Sequence, residues 1–316
     1  MQQRRNDYTD RRTLKVLVCS WNIDACKPSA IDKSAHPDDQ QFLANWLGAM
    51  KPDEPSIIVV GLQEVVDLES KKVTAKTLFR HTMWRDRIAK MVSISAGDNH
   101  RYRLVASHGM VGLFSLVFVR ETEMPFIRDV YITQVKTGFK GLHGNKGAII
   151  CRVIHGASSL CFVNCHLAAG DGPVRDVLWA NGGDGSRVMD HSIVFFSGDL
   201  NYRISRPRDE VEKLIVAKDW DALLRHDQLN DQFINYPTFA LRNLIESPPP
   251  RFAPTYKYNV GTTKYDTSLK KRTPAWCDRI LFRRGSGIRP LQYQRHENLL
   301  SDHRPISGAY EVPVYR

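Results

Sequence analysis

The chain has 316 residues, carries 45 Lys and Arg against 34 Asp and Glu for a formal charge of +11, and is 42% hydrophobic and 25% charged. That length fits one large α/β domain or two small ones, and the apolar share can bury a sizeable core. No apolar run approaches the roughly 20 residues that cross a bilayer, and the polar, arginine-bearing first twelve residues lack the apolar segment of a secretory signal.

Residues 1–12 read as a flexible basic lead-in and residues 13–316 as one domain. The apolar run 14–19 closes on Ser20-Trp21-Asn22, and the β-branched run 57–60 closes on Gly61-Leu62-Gln63-Glu64. Both have the composition of buried strands that carry a polar residue at the C-terminal end. Between them, residues 40–50 space Phe42, Leu43, Trp46 and Leu47 as one helix face. Strand, helix, strand is the order that a layered α/β fold produces. The pattern then predicts a helix over 75–90 and strands over 102–106, 112–119, 148–153, 160–165 and 193–196. It predicts a helix over 208–225, with Val211, Leu214, Ile215 and Leu223 on one face. The run Ser247-Pro248-Pro249-Pro250 forces an extended loop, and strands are expected at 279–282 and 306–310. There is no repeat, low-complexity segment or linker long enough to divide the chain.

The six cysteines form no CxxC pair, and most sit inside apolar runs. This argues against a structural zinc site or a disulfide framework and for a reducing, intracellular compartment. Cys277, beside bulky Trp276, reads as packing, and neither Cys nor Ser occupies a nucleophile motif.

Three clusters place an acid, an amide or an imidazole beside a strand-like run: Gly198-Asp199-Leu200-Asn201-Tyr202-Arg203, Pro274-Ala275-Trp276-Cys277-Asp278-Arg279 and Ser301-Asp302-His303. Asn22 and Glu64, at neighbouring strand ends, offer two oxygens to a hard ion such as Mg²⁺, which keeps most of its waters. Alone, Asn22 reads as a turn residue and Glu64 as a helix start. Asp199 and Asn201 are two residues apart in what reads as an extended segment, so both face one phosphoryl group; an Asx turn is the other reading. Asp199 then takes a proton from water, Asn201 donates to a phosphoryl oxygen or the ion's water shell, and Gly198 allows close backbone approach. His166 ends the run Phe162-Val163-Asn164-Cys165 and is placed to stabilise transferring charge. Asp278 is expected to fix the tautomer of His303, with Asp302 as a metal contact, direct or through water.

Between Lys264 and Arg284 there are seven basic and two acidic residues, a local balance of 7 − 2 = +5. Such a surface attracts nucleic acid, anionic lipid or a polyphosphorylated small molecule. The glycine-flanked Gly144-Asn145-Lys146-Gly147 reads as a mobile turn, and Tyr256-Lys257 with Lys271-Arg272 adds cationic donors. Cations beyond the catalytic group imply a substrate bearing more than one phosphate.

These stretches resemble the catalytic domain of the inositol polyphosphate 5-phosphatases, within the endonuclease/exonuclease/phosphatase superfamily. The resemblance runs from Leu14 to Tyr310 and is most specific in Asn164-Cys165-His166-Leu167-Ala168-Ala169, at 198–204, in Pro254-Thr255-Tyr256-Lys257-Tyr258 and at 274–281. It implies a DNase I-like four-layer α/β sandwich: two mixed, mainly antiparallel sheets flanked by helices, with the site at the sheet rim. It also implies Mg²⁺-dependent removal of an inositol 5-phosphate by direct attack of water. By matching position, Asn22 and Glu64 hold the ion and Asp199 prepares the water. Asn201, His166 and His303 surround the scissile phosphate, with Asp278 behind His303. Tyr256, Lys257 and Arg272 match residues that bind the 4-phosphate, and Lys146, beside Asn145, matches one that reaches the 1-phosphate.

The chain departs from the family pattern in carrying Phe195-Phe196-Ser197 where a Trp usually precedes Gly-Asp, and in a glycine-rich stretch over 170–190. The expected substrate is PtdIns(4,5)P2, with PtdIns(3,4,5)P3 and soluble inositol polyphosphates as alternatives. The expected setting is the cytoplasm, peripheral at the cytosolic face of an anionic membrane, with no nucleic-acid partner. The chain reads as the catalytic part of a longer protein, and nothing in it fixes the oligomeric state. A metal-dependent nuclease of the same superfamily and a catalytically dead phosphoinositide-binding domain are the competing readings.

Overall fold

A computed structural model describes residues 10–49, 54–67, 73–96, 101–138, 143–168, 171–181 and 185–316. Alternation decides the layers. In β1 (Arg11–Asn22), Leu14, Val16 and Val18 join one core cluster while Leu17, Cys19 and Trp21 join another. In β2 (Ile57–Gln63), Ile57 and Val59 share the first cluster and Ile58, Val60 and Leu62 the second. Successive side chains on a strand face opposite ways, so a run buried on both sides reads as continuously apolar.

The first sheet has the order β11-β12-β1-β2-β4-β3, with β3 at Tyr102–Met110, β4 at Leu113–Arg120, β11 at Arg289–Arg295 and β12 at Ile306–Tyr315. The second has the order β5-β6-β7-β8-β10-β9. Its strands are β5 (Ile127–Gly138), β6 (His143–His155), β7 (Ser158–His166), β8 (Ile193–Asp199), β9 (Leu244–Ile245) and β10 (Asp278–Arg283). Val16, Val59 and Val117 of one sheet pack with Phe162, Phe195 and Ile280 of the other, which makes the central core.

Helices close the outer faces. Helices α1 (Pro28–Lys33), α2 (Pro37–Leu47) and α3 (Val73–Ala96) cover the first sheet. There Trp21 meets Phe42, Trp46 and Trp84, with ring centroids 5.0, 6.2 and 5.8 Å apart. Helices α4 (Asp171–Leu178) and α7 (Gln228–Asn235) bury Val174, Val177 and Leu229 against the second sheet. This is the expected four-layer arrangement of two mixed sheets between helices.

Several boundaries differ from the sequence reading. Strand β1 begins at Arg11 and pairs with Tyr315, so Arg11 and Arg12 belong to the sheet, and residues 1–9 of the lead-in lie outside the described residues. The helix expected over 208–225 is two helices, α5 (Arg208–Val216) and α6 (Trp220–Leu224). Lys218 takes a left-handed φ of 54° between them, and Asp219 caps α6 by accepting from Ala222 N at 3.0 Å. Strands β5 and β11 were not expected. They are outer strands with mixed, half-exposed sequences, so they lack the apolar run that marks an inner strand.

Candidate active site

Strand register brings the scattered polar residues together. Parallel pairing of β7 with β8 sets His166 opposite Asp199, and antiparallel pairing of β8 with β10 sets Asp199 opposite Asp278. Pairing of β6 with β7 sets Gly147 opposite His166, which leaves Lys146 one residue away. In the first sheet, parallel β1 and β2 end level, with Asn22 opposite Gln63 and Glu64 next along the chain. Ser301 Oγ donates to Asn22 O at 2.7 Å, which ties the segment carrying Asp302 and His303 to the same rim. The sheets are clamped there by Gln63 Nε2, which donates to Asn164 Oδ1 at 2.7 Å. Gly198, with φ of 134°, leaves room for Cys165, whose carbonyl oxygen a Cβ would approach to 2.0 Å.

The rim residues touch. Asn22 Nδ2 donates to Asp199 Oδ2 at 3.0 Å and to Glu64 Oε1 at 3.2 Å. His166 Nε2 lies 3.3 Å from Asp199 Oδ2 and 3.6 Å from Glu64 Oε1, and the Lys146 ammonium sits against the same imidazole nitrogen. His303 Nδ1 pairs with Asp278 Oδ2 at 2.8 Å, and its Nε2 lies 3.9 Å from Asp199 Oδ2. Thr255 Oγ1 donates to that same Asp278 oxygen at 2.6 Å and fixes the carboxylate behind the imidazole.

Burial and charge set the protonation states. Burial alone raises Asp199, but His166, His303 and Lys146 outweigh it and hold the carboxylate well below its usual range. Burial disfavours a charged His303, yet Asp278, Asp199 and Asp302 overcome it and raise the imidazole to about 10. His303 is therefore a cation at neutral pH, held between two carboxylates. Lys146 is lowered by burial, which Asp199 and Glu64 partly offset.

Asn22, Glu64, His166, Asp199, Asp278 and His303 thus meet at one rim, and two expectations need correction. Asn201 is not in an extended segment: its φ is 64°, and its N–H donates to Asp199 Oδ1 at 3.0 Å, which closes an Asx turn. Its amide donates to Leu167 O at 2.9 Å and accepts from Arg203, so it braces the turn. The stretch around Asn145 and Lys146 is not a turn but part of β6, with both side chains half-buried. Asp302 is held by Lys257 Nζ at 2.7 Å. Of the Asn164 to Ala169 motif, Ala169 lies outside the described residues, as does part of 170–190.

Beside the cleft, a pocket of about 530 Å³ is lined by Tyr256, Lys257 and Arg272 among others. The Tyr256 ring joins the two spaces, with its centroid 4.5 Å from that of His303. Sequence reasoning missed Arg203, whose guanidinium lies 4.4 Å from the Tyr256 centroid. It was visible only as the last residue of the Gly198 motif. Asp24 was missed as well, because nothing in its local sequence marks it.

The donor set suits a hard cation. Asn22 and Glu64 present oxygen-bearing groups, and the Glu64 side chain stays 35% exposed to the cleft. Burial, then the nearby charges of Asp302 and Glu64, push Asp24 up to about 6, which marks an excess of negative charge at this edge. Among the described residues, no group of three or more His, Cys, Asp or Glu forms a metal cage. An ion with few protein ligands and a retained water shell fits these residues; a closed structural site does not.

Comparison with known proteins places this geometry in a family. Residues 19–309 match the model of endonuclease/exonuclease/phosphatase family 2. A probable inositol polyphosphate 5-phosphatase of Schizosaccharomyces pombe is 38% identical over 98% of the chain and 29% of its own length. Human synaptojanin-1 is 32% identical over 98% of the chain and 22% of its own length. The chain thus spans less than a third of the length of these curated relatives. The crystal structure of the inositol polyphosphate 5-phosphatase domain of SPsynaptojanin, in complex with inositol (1,4)-bisphosphate and calcium ion, superposes with a TM-score of 0.85 at 32% identity. That match covers 100% of this chain and 89% of the other. Sequence and overall fold agree: the chain belongs to the inositol polyphosphate 5-phosphatase catalytic domains of the endonuclease/exonuclease/phosphatase superfamily.

Proposed function

We propose that residues 11–316 form a Mg²⁺-dependent hydrolase domain that removes the 5-phosphate of phosphoinositides, with PtdIns(4,5)P2 as the preferred substrate. The observation that carries this reading is the adjacency of a polar rim and a basic pocket. Asp199, His166 and the Asp278–His303 pair meet at the rim, while Tyr256, Lys257 and Arg272 line the pocket beside it. A substrate with two ring phosphates fits that division, since each space takes one anion.

In this mechanism water attacks phosphorus in line with the ring oxygen. Asp199, ionised throughout the working pH range, accepts a hydrogen bond from the water, orients it, and receives its proton as the new P–O bond forms. His303, charged and steered by Asp278, donates to the phosphoryl oxygens, and His166, with the Lys146 ammonium against its Nε2, lies on the opposite side. The P–O bond to the ring breaks, and the ring oxygen leaves as a hydroxyl after taking a proton from solvent. Asn22 and Glu64 would hold a divalent ion, which would supply Lewis-acid stabilisation of the charge that builds on the phosphate. Asn201 shapes the turn that aims Asp199. Lys257 and Arg272 bind the 4-phosphate, and Asn145 and Lys146 approach the 1-phosphate side. The formal charge of +11 supports docking at the cytosolic face of an anionic membrane.

The test is a phosphate-release panel over PtdIns(4,5)P2, PtdIns(3,4,5)P3, PtdIns(5)P and inositol 1,4,5-trisphosphate, with Mg²⁺ and with chelator. Release should need the ion. Lys257→Ala or Arg272→Ala should cost about 10- to 100-fold on PtdIns(4,5)P2, the worth of a charged hydrogen bond, and much less on PtdIns(5)P. Equal losses on both lipids would defeat the 4-phosphate assignment. In heavy-oxygen water the label should enter phosphate; label in the alcohol would rule out attack at phosphorus.

A further inference from the structure

The loop that carries Lys270 and Arg272 also carries Leu269, which is fully exposed. A lone exposed leucine is ordinary on a protein surface. This one differs in its support. Asp266 is buried, and its carboxylate accepts from Ser268 N at 2.9 Å and from Arg272 N at 2.8 Å. Ser268 Oγ accepts from Lys270 N at 3.3 Å, and Ser268 O accepts from Lys271 N at 3.0 Å. From outside, Arg208 donates to the carbonyls of Asp266 and Arg272, and Asn259 holds Thr267 through both its backbone and its side chain. The loop is braced at both ends, so its leucine stays in water by construction.

The charge around it is one-sided. Lys264, Lys270, Lys271 and Arg272 are all exposed, while the one acid of the segment 264–272, Asp266, is turned inward and satisfied by backbone amides. An apolar tip ringed by cations matches an anionic bilayer interface. The side chain can enter the acyl boundary while the ammonium groups stay at headgroup level.

We infer that the loop Asp266-Thr267-Ser268-Leu269-Lys270-Lys271-Arg272 is a membrane-docking element, with Leu269 as its inserted wedge. The inference rests on the phosphoinositide reading of the adjoining pocket and adds a consequence to it. Leu269 stands at the edge of the same pocket as Tyr256, Lys257 and Arg272. Insertion there turns the pocket mouth toward the headgroups, so a lipid substrate enters without leaving the bilayer.

The test uses vesicles of phosphatidylcholine with phosphatidylserine and no inositol lipid, so that the pocket has no ligand. Leu269→Asp should lower the vesicle-bound fraction five- to tenfold, with an unchanged thermal unfolding midpoint because the side chain touches no core. Leu269→Trp should raise the bound fraction about threefold and give tryptophan emission that shifts to the blue and is quenched by brominated acyl chains. Wild-type-like binding by the Asp variant, or unshifted emission from vesicle-bound Trp variant, overturns the inference, as does a wild type that does not bind such vesicles. Hydrolysis of soluble inositol 1,4,5-trisphosphate reads the functional proposal separately. Turnover without vesicle binding sinks the docking loop alone; Leu269-dependent binding without turnover on any substrate sinks the phosphatase reading alone.

Discussion

Asp278 and Arg279 are neighbours on β10 and point to opposite faces, and each anchors a buried charge cluster. Around Arg279 the hydrogen bonding is closed, with one guanidinium shared between two buried carboxylates. Its Nη1 donates to both oxygens of Asp227 at 2.9 Å, its Nε donates to Glu246 Oε1 at 2.9 Å, and Tyr293 Oη donates to that same oxygen at 2.8 Å. Around Asp278 the charges are open: Asp199, Glu64, Asp24 and Asp302 gather near His166, His303 and Lys146, and the excess of carboxylate faces a cleft. A cluster that satisfies itself holds the fold. One left short of cations on one side and rich in donors on the other is prepared for an ion and a phosphate.

Exchanging or removing groups on the two faces should separate these roles. The largest effect is expected in the open cluster, where His303→Ala should lower kcat by about 10³-fold and Asp278→Asn by about 10²- to 10³-fold. The kcat losses should persist under conditions where urea unfolding shows both variants fully folded; if activity instead tracks the folded fraction, the pair is structural. In the closed cluster, Arg279→Ala should cost about 3–5 kcal/mol, because it leaves Asp227 and Glu246 buried and unpaired. The urea midpoint reads that loss, and a change under about 1 kcal/mol would show that water or a rearranged partner satisfies the acids.

The smallest effect is a pH dependence, and it belongs to the open face. His303 rises from 6.5 to about 10 on folding, so its contribution is fully present below pH 6.5 and is lost as pH climbs through about 10. The folded state binds the extra proton in that window, and stability therefore falls with rising pH. With chelator present, the stability difference between wild type and His303→Gln should shrink from about pH 6.5 to about pH 10. Arg279 keeps its charge across that range, so the gap between wild type and Arg279→Ala should stay level there. A His303→Gln difference that is flat with pH would place the proton elsewhere.

Much of this could be read from residues alone. The apolar runs ending in Asn22 and Glu64, and those ending in His166 and Asp199, are inner strands buried on both faces, where composition and fold coincide. Strands β5 and β11 could not be read that way, because an outer strand is half solvated and its mixed sequence resembles a loop. Asn201 misled for a local reason. Two-residue spacing fits an extended segment equally well, whereas the backbone turns left-handed at Asn201, just past Asp199. Asp24 and Arg203 escaped notice because what marks them is the charge beside them, and that charge comes from distant segments.

The sequence by itself determined the chemical types present, the strands that end in them and the excess of positive charge, since these follow from composition and from period-two burial. Tertiary structure alone decided which of them meet. The parallel register of β7 on β8 and of β1 on β2 levels four strand ends at one rim, and the packing of the two sheets brings the Asn22 amide within 3.0 Å of Asp199. Register and sheet packing are long-range contacts, fixed by the fit of whole apolar faces, and no local window of the chain contains them.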